Sequence, residues 1–503
     1  MNRSKPISKL LIVLPIAALN VACAVGPDFV RPTPQAPAHW SDQATAPLPT
    51  ASHPTAATNS APLAVSQVIE QSTELRSWWG GFNDPLLSSL IDRAVSSNLD
   101  LRAALLRIDE ARAQRAISAA AYWPTVAVDA SFTRQRLSET TPTGALFNSV
   151  GHVPGAGVSI PNPYNQYQLS AAVSWEIDLF GRVRRSVEAA DANVQVSVED
   201  QHGVLVSVLA DVAQGYLELR GAQERSRIAK ENLATIEELL DLTRQRRAAG
   251  MTTDIDVSNA AAQAYATRAS LPAFEMQITG SINQLSRLIA REPEALRDEL
   301  GGPMPVPSAP PEVPIGLPAE LARRRPDIRE AEANLHAATA QIGIAVANLF
   351  PRLTLAATGG FQSETAGNLL QWASRFGSIG PTLDLPIFDR GRWTTVHLYD
   401  VRAQEAALGY QRTVLNALHE VENSLSAYAA DQQRRNWLAA TVNESLDALT
   451  LSRQRYASGL INFIDVLDAE RTLQQNQLSL ADSTTAVTTD LVALYRALGG
   501  GWL

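Results

Sequence analysis

Cysteine is almost missing from this sequence. Cys23 stands alone among 503 residues, so no disulfide can form within the chain. Long apolar runs are missing too. Beyond the first twenty residues there is no charge-free run of about 20 apolar residues, the length a helix needs to span a bilayer. Any later crossing of a membrane must therefore be a β-barrel, because only helices and closed barrels satisfy their backbone groups in lipid. Positive charge is in deficit: 42 Lys+Arg stand against 51 Asp+Glu, a net charge of −9. That balance argues against nucleic acid as a partner. The seven histidines are scattered, with no H-x-x-x-H pair. No Walker-type glycine loop and no G-x-S-x-G elbow occurs, so neither ATP use nor acyl-transfer chemistry has a recognisable seat. Four Met and seven His give no enrichment that favours a copper or silver route.

What is present begins with an export signal. Arg3, Lys5 and Lys9 precede the apolar Leu10 to Leu19, and small residues follow. Residues 1–22 are read as a signal peptide. Val21-Ala22-Cys23 resembles the end of a lipobox, with Asn20 where Leu is usual and Leu19 one place early. Ordinary cleavage around Ala22-Cys23-Ala24 is the plain alternative. A lone cysteine at this boundary favours acylation of Cys23, by diacylglycerol and an N-acyl chain. No other cofactor is expected.

The composition is globular, with 45% hydrophobic and 18% charged residues. Residues 23–75 are rich in Pro, Ala, Thr and Ser and too poor in large apolar side chains for a core of their own. A Pro-rich linker at 303–318 divides the rest into two repeats, 76–302 and 319–503. Arg244-Gln245-Arg246 recurs as Arg453-Gln454-Arg455, 209 positions on (453 − 244). Gly250 recurs as Gly459, and Ile255-Asp256-Val257 as Ile464-Asp465-Val466. Tyr122-Trp123-Pro124 matches Leu349-Phe350-Pro351, 227 positions on (351 − 124). This is duplication of a unit much longer than a solenoid repeat.

Each repeat carries two alternating runs, around Val126–Phe132 and Tyr167–Ile177, then Leu353–Phe361 and Ile379–Ile387. Period-two alternation over such lengths suits transmembrane barrel strands. A soluble hairpin with one buried face is the alternative. Four strands cannot close a pore-sized barrel, so several chains must contribute if these strands lie in a membrane. After each strand pair comes a long helical hairpin: about 184–247 with 254–291, and about 394–456 with 462–498. At ~1.5 Å per residue each first arm is on the order of 90 Å long. Apolar residues recur at seven, as in Leu205, Val212 and Leu219, which signals coiled-coil-like packing. Gly250 and Gly459 suit left-handed C-caps at the reversals.

Taken together, these residues resemble the outer membrane factors of tripartite efflux pumps (the TolC/OprM/NodT type). Cys23-Ala24-Val25-Gly26-Pro27-Asp28-Phe29 resembles the lipoprotein start of that family. Trp78-Trp79 with Phe82 and Asp84-Pro85 resembles its first-helix motif, and Arg324-Arg325-Pro326-Asp327-Ile328 the counterpart in the repeat. Gly459 with Asp465-Val466-Leu467-Asp468-Ala469 resembles its last periplasmic hairpin. The resemblance implies an α+β membrane protein. As a homotrimer it would close one twelve-stranded outer-membrane β-barrel, four strands per chain, continuing into a long periplasmic α-helical barrel. It implies a non-enzymatic, lipid-anchored exit channel in the bacterial outer membrane, working with a periplasmic adaptor and an inner-membrane transporter on drugs and toxic organic molecules. A channel for secreted polypeptides and a lipid-tethered periplasmic coiled-coil scaffold are the alternatives.

The same resemblance implies a periplasmic gate near the last helical turn. Asp465 and Asp468 would supply acidic rings, Ile464 an apolar ring, Tyr456 and Arg471 the links, and Asp256 the first-half counterpart. Acidic rings favour cations over anions. Asp on a solvated helix face is the plain alternative. Ile461 stands where some relatives carry Arg, so a salt link from there to Asp256 is absent. The turns at Gly250-Met251 and Gly459-Leu460 resemble the docking tips for the adaptor, or are helix caps and nothing more.

Overall fold

The computed structural model describes residues 24–33, 36–41, 65–71, 75–142, 145 and 162–502. The signal segment and Cys23 lie outside the described residues. In chain order the elements are β1 (Gln67–Ile69), α1 (Pro85–Ser97), α2 (Leu99–Ala120), β2 (Thr125–Gln135), β3 (Tyr164–Ile177), α3 (Arg182–Ala248), α4 (Asp254–Leu288), β4 (Glu312–Pro314), α5 (Pro326–Ala347), β5 (Arg352–Ser363), β6 (Arg375–Asp384), α6 (Arg390–Ala457) and α7 (Phe463–Ala497), with single helical turns between some of them. The duplication is visible in matched lengths. Helices α2 and α5 have 22 residues each, α4 and α7 have 35 each, and α3 and α6 have 67 and 68. None of the described helices is long and apolar enough to cross a membrane.

The chain forms two compact units, and each draws on both repeats. One combines Met1–Arg31, Glu110–Val194 and Ala333–Ala407; the other combines Pro32–Asp109, Gln195–Glu332 and Leu408–Leu503. The linear division into 76–302 and 319–503 therefore does not describe the packing. Strand pairs pack with strand pairs and helical hairpins with helical hairpins, because neither copy buries its apolar face alone.

In the first unit the strands form one antiparallel sheet in the order β2-β3-β5-β6. The two hairpins join where β3 meets β5, from Tyr167 opposite Ser363 to Ile177 opposite Leu353. Strands β2 and β6 each keep one edge without a strand partner among the described residues. Along β2, Val126, Val128 and Phe132 form an exposed apolar row, and the Phe132 ring packs on Tyr167 at 4.8 Å. Strands of 10 to 14 residues are long enough to cross a bilayer when tilted.

A short N-terminal strap lies on the helices of this unit. The Val25 amide donates to the Phe180 carbonyl at 3.1 Å. Arg185 reaches Asp28 at 2.6 Å and Glu188 at 2.8 Å, and His336 contacts Glu188 at 3.1 Å. Phe29 stacks on the His336 ring at 4.4 Å. Two glycines make the approach possible. A Cβ on Gly26 would stand 2.5 Å from Gly343 Cα, and a Cβ on Gly343 would stand 2.8 Å from the Arg185 side chain.

In the second unit α1 starts at Asp84. Its Oδ1 accepts from the amides of Leu86 (2.9 Å) and Leu87 (3.1 Å), with Pro85 at the first helical position. Asp84 Oδ2 accepts from the Tyr216 hydroxyl at 2.7 Å, which ties α1 to α3. Leu87, Leu90 and Ile91 are fully buried in a core shared with Leu217 of α3, Leu285 of α4, Leu425 of α6 and Leu491 of α7. A polar cluster interrupts this packing. Asp490 of α7 lies against Asp431 of α6, and Asp490 Oδ2 is buried with no donor among the described residues. Burial, then the contact with Asp431, push the Asp490 carboxyl up to about 7. Arg434 lies 3.7 Å from Asp431. Burial lowers the Arg435 guanidinium and raises the nearby Tyr428 hydroxyl.

Candidate functional site at the hairpin ends

The two helical hairpins of the second unit turn by the same device. After α3 the Met251 amide donates to the Arg246 carbonyl (2.9 Å) and the Gly250 amide to Arg247 (3.0 Å). After α6 the Leu460 amide donates to Arg455 (2.9 Å) and the Gly459 amide to Tyr456 (3.0 Å). Both glycines have φ of +75°, the left-handed conformation that closes a Schellman motif. The residues after them, Met251 and Leu460, are 76% and 72% exposed, so each tip presents one apolar side chain.

Carboxylates open the return helices. In the first hairpin Asp256 accepts from the Thr252 hydroxyl and from the amide (3.1 Å) and hydroxyl (2.9 Å) of Thr253, while the Thr253 hydroxyl accepts from the Asp256 amide. The Thr252 hydrogen bond holds the Asp256 carboxyl below its ordinary range. In the second hairpin Asp465 accepts from the Asn462 amide at 3.0 Å. Asp256 and Asp465 are thus equivalent capping-box residues, a local role that serves helix initiation whatever else they do. Asp468 has no such task. It lies 3.8 Å from Arg471, with both side chains mostly exposed. Exposed surface pairs of this kind contribute little to stability.

Helix α7 sorts these residues by face. Phe463, Val466, Leu467 and Glu470 are buried, whereas Ile464, Asp465, Asp468 and Arg471 are exposed along the opposite side. Four of the six expected gate residues therefore share one face directed away from the chain's own core. Asp256 is not on it; its side chain is engaged within its own turn. Tyr456 packs instead against Phe463, ring centroids 5.7 Å apart, and under the Arg246 guanidinium at 4.6 Å.

Two participants escaped the sequence reading. One is Glu470, 3% exposed, which meets Arg453 at 2.7 Å and ties the arms of the second hairpin together. The other is Arg246. Its motif was noted as a repeat marker, but nothing in one sequence says that it reaches Tyr456, 210 positions away (456 − 246).

Elsewhere in the second unit a cleft of about 630 Å³ is lined by charges of both signs, including Asp100, Arg107, Glu199, Arg325 and Glu420. Glu199 is fully buried and already engaged by Arg329 at 2.7 Å and His202 at 3.0 Å. Among the described residues no group of His, Cys, Asp and Glu side chains is placed to hold a metal ion.

The family model of the outer membrane efflux proteins matches residues 90–291 and 317–500. The chain belongs to that family. It is 32% identical to outer membrane protein OprJ of Pseudomonas aeruginosa over 497 residues, covering 99% of this chain and 96% of that one. It is 31% identical to the toluene efflux pump outer membrane protein TtgF of Pseudomonas putida, covering 96% of each. The solved outer-membrane channel OprN has 34% identity and a TM-score of 0.82, covering 95% of this chain and all of that one. The channel fold is thus α+β, with a small sheet and long helices, and the protein is an outer-membrane exit channel of an efflux system, not an enzyme.

Proposed function

We propose that the channel works as a homotrimer that passes small molecules, drugs and toxic organics among them, from a periplasmic adaptor and inner-membrane transporter to the outside. The observation that carries the trimer is the sheet: four antiparallel strands, both edges unpaired among the described residues, with an exposed apolar row on β2. A lone open sheet in lipid leaves backbone groups unsatisfied, and copies joined edge to edge remove both edges. Chemical cross-linking of the purified protein tests the number of copies. The cargo is tested by measuring accumulation of dyes, antibiotics and aromatic acids with and without the gene. Compounds that build up on deletion and fall on complementation identify the class; a defect confined to secreted polypeptides overturns it.

The closure lies at the hairpin ends. The exposed face of Ile464, Asp465, Asp468 and Arg471 supplies the apolar and acidic constriction, Tyr456 links the second hairpin to the first, and Asp256 fixes the first hairpin's turn. The tips at Gly250-Met251 and Gly459-Leu460 receive the adaptor. Asp468→Ala is expected to raise ion leak through the purified channel in planar bilayers, and unchanged conductance at every voltage refutes the assignment.

Cys23 carries the lipid anchor. The strap supports this reading: Val25, two residues on, is bonded to Phe180 just past β3, which would deliver acyl chains beside the strand ends. Cys23→Ser is expected to abolish fatty-acid labelling, and continued labelling rules the residue out.

A further inference from the structure

The two outer edges of the sheet are flanked by residues that repeat those at its centre. Strand β2 is exposed along all of its 11 residues and β6 along most of its 10, whereas β3 and β5 between them are mostly half-buried. Where β3 meets β5, the two repeats are clasped by Phe180 and Phe350, stacked with ring centroids 4.8 Å apart. Phe180 stands two residues before α3, and Phe350 two before β5. The outer edges carry aromatics at the same two places. Phe388 stands two residues before α6, and Trp123 two before β2. The spacings agree. Phe180 and Phe388 are 208 apart, as are the starts of α3 and α6 (388 − 180; 390 − 182). Trp123 and Phe350 are 227 apart, as are the starts of β2 and β5 (350 − 123; 352 − 125). Phe388 is 92% exposed and Trp123 74%. Three strand spacings, about 14 Å, separate β2 from β6 in one chain, so these two rings can meet only across two chains.

A second relation is electrostatic. Glu188 of α3 meets His336 of α5 at 3.1 Å. Helix α6 is one residue longer than α3 at its start, so inside the helices the offset is 209 and Glu188 corresponds to His397 (397 − 188). His336 corresponds to Asp109 of α2, 227 positions back (336 − 109). Acid and base have changed places. The joint inside the chain sets an acid on α3 against a base on α5; the counterparts are a base on α6 and an acid on α2. Both counterparts are exposed. The pair is complementary again with the roles exchanged, and it points to the same partner as the rings.

We propose that the β6 edge is recognised by the β2 edge of a second copy of this chain through two contacts that reproduce the joint between the repeats: Phe388 of one copy stacked on Trp123 of the next, and His397 of one copy paired with Asp109 of the next. The joint is head-to-tail, because each copy offers a different edge on each side. It makes assembly a matter of self-recognition, since a related channel without the ring or the exchanged charges fits neither edge fully. This inference rests on the channel being an assembly of copies, and it names the side chains that join them.

The test is cross-linking of the purified full-length channel with a short bis-maleimide, in a chain whose only native cysteine is Cys23. Trp123→Cys and Phe388→Cys together are expected to give bands of two and three chains. Either substitution alone is expected to give none beyond those of the parent, since a head-to-tail joint brings unlike positions together. Phe180→Cys with Phe350→Cys is expected to link within the chain and join no chains, which shows that the junction is folded. In the Trp123→Cys, Phe388→Cys background, His397→Asp is expected to lower the yield of linked trimer about fivefold, and Asp109→Lys added to it to restore the yield. A doubly substituted chain that stays unlinked but sediments as three chains overturns the joint and leaves the assembly standing. Sedimentation of the parent as a single chain overturns the assembly as well. Self-linking of Phe388→Cys alone overturns the head-to-tail order, and an exchange that restores nothing overturns the ionic contact.

Discussion

Replacing Asp490 by Asn removes one member of the carboxylate pair that α6 and α7 press together. The Asp490 carboxyl, ordinarily at 3.8, is raised to about 7 by burial and by Asp431. A group whose folded-state value is raised above its unfolded value holds its proton more tightly in the native protein. Its contribution is fully present at low pH and is lost as pH rises through the folded value. The parent should therefore lose stability between about pH 4 and pH 7 from this site and level off above. Three units at about 1.4 kcal/mol each set an upper bound near 4 kcal/mol, and half-burial with solvent screening reduces it to about 2 kcal/mol. The amide of Asn keeps the shape, donates to Asp431 and does not titrate. Asp490→Asn should come nearest the parent at about pH 4 and exceed it most at pH 8. For a chain of this length that is a gap of a few degrees in the melting of the helical signal in detergent. The two proteins differ only at this carboxylate, so the difference between their pH profiles isolates it. An equal pH slope in both refutes the reasoning, as does a parent that becomes more stable on going from pH 5 to pH 8.

Other positions give shorter tests. Ala290 closes α4 at φ +53°, where its repeat counterpart Gly499 closes α7 at +74°; Ala290→Gly should relieve left-handed strain and stabilise by about 1 kcal/mol, read as a higher melting temperature. Gly343→Ala should push Arg185 off the strap and free Asp28, so limited proteolysis near residue 28 should quicken while the sheet persists. Arg247→Ala should leave melting and conductance unchanged, because its ion pair with Asp254 is exposed and screened.

Much of this architecture was legible in the chain because it is local or repeated. Period-two runs marked all four strands, although β6 stops at Asp384, short of the expected Ile387, as the chain turns toward α6 at Arg390. Glycine marked both hairpin turns because only a left-handed residue closes a Schellman motif cheaply. Asp465 has a second, local task that the gate reading did not include: three residues after Asn462, it accepts from that residue's amide and opens the return helix. What stayed hidden was pairing across elements. Asp431 with Asp490 and Arg246 with Tyr456 join helices that meet only after the hairpins pack side by side.

The duplication itself supplies the missing signal. Identical partners in two copies need not exchange contacts, so a copy that keeps every residue gives no clue to what joins it to its twin. A mismatch does. Arg247 and Asp254 became Tyr456 and Phe463 while the flanking glycine and capping acid were kept. Backbone constraints thus held the turn constant while the side chains above it diverged. Divergence at an otherwise preserved turn is expected where the two copies must differ, and the interface between them is such a place. The same comparison separates Arg453, which found Glu470, from Arg244, whose counterpart partner is Ala261 and which settles for Asp241 at 3.1 Å. Both differences put the tighter, more buried contacts in the second hairpin. On this argument the second hairpin is the more tightly tied of the two near its end.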